Sequence, residues 1–234
     1  MLENLLEIAR RPSYRGYVLH KLLRPLGYEP DQWVRVVYSR EWETFLSSLP
    51  LRSLTALEIS PGAQPVIEKS RVKSYRTVHF PEFDITQQAL PATFDIIIAE
   101  QVFEHLRHPY RAAANIRKML NDDGVFLIAT PFLIRIHGSP SDYTRWTPAG
   151  LQGFLEDCGF TAEVRAWGNR KAVKANFTKW REYGWKRDLR NETAFPACVW
   201  AYARKTPGDA ATVTATRLGL SERTDPGTAS VPLD

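Results

Sequence analysis

The chain has 234 residues, 44% of them hydrophobic and 24% charged, with a formal net charge of +5 at pH 7, which suits one domain with a full core and excludes fibrous classes. The longest apolar runs fall far below the roughly 18 residues that a membrane helix needs. With Glu3 and Glu7 among its apolar residues, "MLENLLEIARRP" reads as an amphipathic helix rather than a signal peptide. Cys158 and Cys198 lack metal-ligand spacing and read as reduced thiols, so a cytoplasmic protein without a metal site or membrane partner is expected.

Taken in chain order, residues 1–50 carry the helical patterns "LENLLEIARR", "YVLHKLLRPL" and "REWETFLSSL", broken by Pro12, Pro25, Pro30 and Pro50, with no strand alternation of any length. "LTALEISPG" is then a short apolar run stopped by Pro61 and Gly62, a buried strand ending in a turn, and "VKSYRTVHF" and "FDIIIAE" are the next strand candidates. The spacing of Ala112, Ala113, Ile116, Met119 and Leu120 places an apolar stripe on a helix, and Gly124 releases the chain into "VFLIATPF". "TPAGLQGFLEDCGF" opens with Thr147 before Pro148, suited to the N-cap and first turn of a helix, and "FPACVWAYARK" reads as one more strand. Strands alternating with helices imply an α/β class with a doubly wound, mostly parallel sheet. The expected divisions are helices over 1–50, the sheet domain over 51–205, and a tail over 206–234 that lacks aromatic residues and is expected to be disordered and dispensable for folding.

Two stretches gather chemistry. In "FDIIIAEQVFEHLRHP" the apolar run Ile96 to Ala99 gives way to Glu100, Gln101, Glu104 and His105, and ligands sit at the ends of buried parallel strands. Glu104 and His105 equally fit the start of the following helix, which attracts acidic residues. "PFLIRIHGSPSDYTRWT" brings His137, Asp142, Tyr143, Arg145 and Trp146 into a loop leaving the same sheet edge; Asp142 and Arg145 equally fit an ion pair that holds the loop.

These segments, with "ALEISPG", "NDDGVFLIATPF" and "DYTRWTPAGLQGFLEDCGF" in this order, resemble the class I S-adenosylmethionine-dependent methyltransferases of small-molecule type over about residues 52–204. The resemblance implies a Rossmann-like sheet, an N-terminal helical lid and S-adenosylmethionine as cofactor. It places Glu58 toward the amino acid end of that cofactor, in a turn where the family's acidic-x-Gly-x-Gly-x-Gly pattern reads Glu58-Ile59-Ser60-Pro61-Gly62-Ala63-Gln64, with two glycines replaced. The ribose position falls near His79, with Glu82 the nearest carboxylate, and Asp84 matches the place that meets the adenine amine. Glu100, Gln101 and Val102 fall beside the sulfonium. Glu104, Asp142, Tyr143, Arg145 and Trp146 fall on the acceptor wall. His137 is the first candidate for a general base and His105 the second.

The activity implied is methyl transfer to an oxygen or nitrogen of a small polar metabolite or sugar-like acceptor, the class in which a similar "H…P.DY.R.T" pattern occurs. Two alternatives stand beside it. One is a cofactor-binding protein of the same fold without turnover, suggested by the altered glycine turn. The other is an RNA methyltransferase using residues 161–190, where nine basic residues face three acidic ones without a recognised RNA-binding signature.

Overall fold

The computed structural model describes residues 28–207 apart from 63, 64, 139 and 186. The elements are β1 (Tyr28–Gln32), α1 (Val36–Ser47), β2 (Thr55–Ile59), β3 (Ser74–Val78), β4 (Phe94–Glu100), α2 (Pro109–Met119), β5 (Leu120–Pro131), α3 (Pro148–Asp157), β6 (Phe160–Trp167), α4 (Arg170–Thr178), β7 (Glu182–Trp185) and β8 (Cys198–Lys205). The main sheet has the order β3-β2-β4-β5-β8-β6. Strands β3, β2, β4 and β5 run parallel, and β8 lies antiparallel between β5 and β6. The expected doubly wound α/β architecture is therefore present. After β2 the chain adds β3 on one side and β4 on the other, so the sheet's switch point lies between β2 and β4.

Both faces of the sheet are covered, which is why β4 reads as an unbroken apolar run. Ile96 and Ile98 face the layer containing Tyr38, Trp42 and Leu46 of α1 together with Trp200, whereas Ile97 and Ala99 face Ile116 and Met119 of α2 and Leu151 and Phe154 of α3. Local signals start the helices: Pro109 and Pro148 occupy first-turn positions, the Thr147 side chain accepts from the Gly150 N–H at 3.0 Å, and Asn169 accepts from the Ala172 N–H at 2.8 Å. A cap of this kind contributes about 0.5–2 kcal/mol.

Three expectations are corrected or bounded. Residues 28–32 form a strand, not a helix, paired antiparallel with β7 in a two-stranded ribbon; main-chain pairing with a segment 150 positions away overrides the helical pattern. A strand at 160–167, which the chain-order reading did not mark, forms the far edge of the sheet. The fold also continues past Lys205, since the Thr206 N–H donates to the Gly159 carbonyl at 3.0 Å. The rest of the expected lid, 1–27, and of the expected tail, 208–234, lies outside the described residues. Among the described residues no helix is long and apolar enough to cross a membrane.

Candidate functional site

At the switch point the chain turns sharply as it leaves β2 and β4. Ser60 (φ 48°) and Gln101 (φ 54°) both adopt the left-handed conformation, which costs a non-glycine residue about 1–2 kcal/mol. Each is held there by its amide: Ser60 N–H donates to the Val78 carbonyl at 2.7 Å, and Gln101 N–H to the Ala129 carbonyl at 2.8 Å. Between them opens a crevice of about 400 Å³. Its walls are apolar at Phe80, Phe83, Ile85, Val102 and Leu106, and polar at Ser60, Asp84, Gln101, His105 and Tyr143. The Gln101 side-chain nitrogen, Nε2, is buried without a hydrogen-bond partner. Asp84 is fixed by the Thr86 N–H and hydroxyl, which donate to its Oδ1 at 2.9 and 2.8 Å.

Two expected cofactor carboxylates instead serve the protein. Glu58 is fully buried and accepts from the Val66 N–H at 3.1 Å and the Tyr75 hydroxyl at 2.5 Å, so it ties the turn after β2 to its neighbour strand. Burial, with the nearby Glu100 charge adding to it, pushes its carboxyl up to about 7 against the opposing hydrogen bonds. A carboxyl raised from about 4.5 binds more protons folded than unfolded, so its contribution is full below pH 4.5 and lost as pH rises to 7, on the order of 3 kcal/mol. The expected result is that the melting temperature of Glu58→Gln gains on that of the wild type as pH rises from 5 to 8, measured without cofactor. A constant difference across that range would contradict the assignment. Glu100, for its part, turns to α1 and its approach, where the Tyr38 hydroxyl donates at 2.7 Å and Arg35 at 3.4 Å.

Beyond the crevice lies a cluster of Glu104, His105 and His137. Glu104 sits in the short turn after β4, fully buried, with neither carboxylate oxygen hydrogen-bonded, and burial pushes its carboxyl up to about 8. Its Oε1 lies 3.5 Å from His105 Nε2 and 3.7 Å from His137 Nε2. His105 Nδ1 is 2.6 Å from the Ser141 carbonyl, which only accepts, so Nδ1 carries a hydrogen and Nε2 is the nitrogen turned toward Glu104. His137 Nδ1 likewise faces Asp142 Oδ2 at 3.3 Å. Asp142 also accepts from the His137 N–H at 3.0 Å and from both Nε, at 3.0 Å, and Nη2 of Arg145, and these bonds hold its carboxyl below the usual range against burial. Arg145 reaches the Arg135 carbonyl at 3.2 Å, and Trp180 meets the His137 ring edge-on at 5.3 Å, so the loop after β5 is fixed around the imidazole.

The sequence-derived candidates divide accordingly. Ser60, Asp84, Gln101, Val102, His105 and Tyr143 line the crevice. Glu104 and His137 join His105 in the cluster, and Asp142 and Arg145 position His137 rather than forming an open acceptor wall. Glu58, Gly62, His79, Glu82 and Glu100 do not line the crevice; Phe80 takes the place expected of His79 or Glu82. Trp146 is 7% exposed and packs on Phe154, because the helix start at Thr147 turns it into the core. Phe80, Phe83, Arg35 and Tyr38 were not marked by the sequence reading. The basic 161–190 stretch spans β6, α4 and β7, and its charges are partly paired: Arg165 with Glu41 and Glu163, Arg170 with Glu192, Lys171 and Arg190 with Asp188.

Residues 40–126 match the family model described as "Methyltransferase domain". A stretch of 89 residues is 32% identical to the malonyl-[acyl-carrier protein] O-methyltransferase of Halalkalibacterium halodurans, covering 36% of this chain and 32% of that protein, so the chain spans about a third of the length of the curated relative it matches. Among solved structures, an S-adenosylmethionine-dependent methyltransferase from Clostridium acetobutylicum aligns with a TM-score of 0.50 at 8% identity, over 82% of this chain and 97% of that one. The [4+2]-cyclase SpnF aligns with a TM-score of 0.50 at 13% identity, over 78% and 87%. The structural likenesses establish a Rossmann-like fold, and the two proteins are named for different reactions, so the fold alone does not fix the chemistry. The family match likens residues 40–126 to a methyltransferase domain.

Proposed function

We propose that this chain transfers the methyl group of S-adenosylmethionine to an oxygen or nitrogen of a small polar acceptor. The observation that carries the reading is that His105 belongs at once to the crevice wall and to the Glu104–His137 cluster, so a cofactor-sized cleft and a set of proton-accepting atoms share one side chain. The residues present fit the cofactor. The crevice volume lies in the range of small-molecule sites, about 300–1,000 Å³, and the unpartnered Gln101 amide, the Asp84 carboxylate and the apolar Phe80, Phe83 and Ile85 walls supply donor, acceptor and ring-stacking surfaces.

The bound cofactor supplies an electrophilic methyl. Everything else falls to the protein: Ser60, Asp84 and Gln101 orient the cofactor, Tyr143 and His105 border the acceptor's approach, and placement itself provides much of the acceleration. Asp142 holds the His137 tautomer that leaves Nε2 free to take the acceptor's proton. Transfer to oxygen, the reaction in the name of the Halalkalibacterium relative, is the case that needs such a group. Paired charges in the 161–190 stretch favour a small acceptor over RNA.

Calorimetry of the full chain with S-adenosylmethionine and S-adenosylhomocysteine tests the cofactor half, and an acceptor screen with labelled methyl tests the other. Saturable 1:1 heat with both ligands is expected, weakened by Asp84→Ala. The absence of heat at about 1 mM ligand would overturn the reading.

A further inference from the structure

We propose that Glu104, His105 and His137 form a binding site for one divalent first-row transition-metal cation. Three potential ligand atoms converge there: Nε2 of each imidazole and the fully buried Glu104 carboxyl, whose oxygens lack any hydrogen bond. A buried polar group left without a partner is costly, and one cation coordinated by all three groups would supply the missing partner.

The spacing suits an ion. Ligand atoms about 2.1 Å from one cation at tetrahedral angles stand about 3.4 Å apart. The carboxylate oxygen is 3.5 Å from one imidazole nitrogen and 3.7 Å from the other, and the full set lies within 4.8 Å. Both imidazoles are also oriented as ligands are, with the remote nitrogen bonded to an acceptor: Nδ1 of His105 to the Ser141 carbonyl, Nδ1 of His137 to Asp142, itself clamped by Arg145. Two imidazoles and one carboxylate favour zinc, iron(II), cobalt(II) or nickel over magnesium or calcium.

Three protein ligands leave a coordination position open, and His105 puts that position beside the crevice. The use of the ion rests on the methyl-transfer reading: there it would hold the acceptor's oxygen and lower its pKa, replacing His137 Nε2 as the means of deprotonation, so that the proton leaves to solvent while both Nε2 lone pairs stay on the metal. Binding itself does not depend on that reading.

The test titrates chelator-stripped, tag-free full chain with Zn²⁺ and with Co²⁺, without cofactor or acceptor, following heat and the visible cobalt absorption. One ion per chain with Kd below about 10 µM is expected, at least 100-fold weaker in Glu104→Gln and His137→Gln, 10- to 100-fold weaker in Asp142→Asn, and unchanged in His79→Ala. Circular dichroism and melting of each variant show that it is folded. No stoichiometric binding, or binding that Glu104→Gln and His137→Gln leave intact, would overturn the site. Metal binding without any methyl transfer would instead leave the site standing and remove the functional reading.

Discussion

His137→Gln is expected to lower turnover about 100- to 10,000-fold while leaving the affinity for S-adenosylmethionine within a few-fold of wild type. The separation follows from position. His137 leaves β5 in the loop that Asp142, Arg145 and Trp180 fix, and it does not line the crevice. Its Nε2 lone pair points to Glu104, and glutamine offers no equivalent atom at that depth, whether the atom takes a proton or holds a cation. An acceptor that is already a neutral amine should shrink the effect, since its lone pair needs no base. The measurement is kcat for wild type and variant with one identified acceptor, alongside cofactor affinity by calorimetry; equal kcat removes His137 from the chemistry.

The largest structural effect should come from Gly168→Ala, expected to destabilise the fold by more than about 4 kcal/mol and to lower the melting temperature by about 10 °C or more. A Cβ there would lie 2.0 Å from the Phe195 carbonyl oxygen, 2.3 Å from the Ala197 nitrogen and 2.9 Å from the Pro196 carbonyl carbon, all backbone atoms that no rotamer change can move. That approach is also where the sheet domain is laced together. Gly168 N–H donates to Asn191 at 3.1 Å, its carbonyl accepts from Glu192 N–H at 2.7 Å, and Ala197 and Pro196 carbonyls accept from Phe132 and Leu133 at 2.8 and 3.1 Å, at the root of the His137 loop. Gly153→Ala on α3 is the control, because its Cβ meets nothing within 4 Å and alanine favours a helix. Comparable melting temperatures for the two variants would show that the 195–197 segment yields.

How much of this was legible in the sequence depends on whether the signal was local. The β4 run, the Pro109 and Thr147–Pro148 helix starts and the polar crowd after Ala99 are local patterns, and the structure places each where expected. Strand β6 was legible in principle: "FTAEVRAW" alternates, with Phe160 and Trp167 buried at its ends, but its Glu163 and Arg165 read as part of a charged face. The partners of Glu58 and Glu100 were not legible, since Tyr75, Arg35 and Tyr38 reach them only through tertiary contacts between elements. Nor was the convergence on Glu104, which depends on which nitrogen of each imidazole the loop carbonyl and Asp142 occupy. The aromatic Phe80 replaced the expected carboxylate in the crevice for the same kind of reason: alignment to a pattern fixes a position in the chain, not the direction of its side chain.

The place of β8 has a consequence for how the molecule comes into being. Among the described residues, 198–205 form the last strand in chain order, yet they lie between β5 and β6, both synthesised earlier. Until they emerge from the ribosome, the facing edges of β5 and β6 have no partner, and the pocket that receives the fully buried Val199 and Ala201 stands open. The parallel half, β3 to β5, can pair as it is made, but the edge carrying β6 cannot join it until residues 198–205 have been made. The growing chain therefore carries unpaired strand edges from the making of β5 until that of β8, and a stop before residue 198 is expected to leave a product prone to aggregate rather than a smaller folded domain.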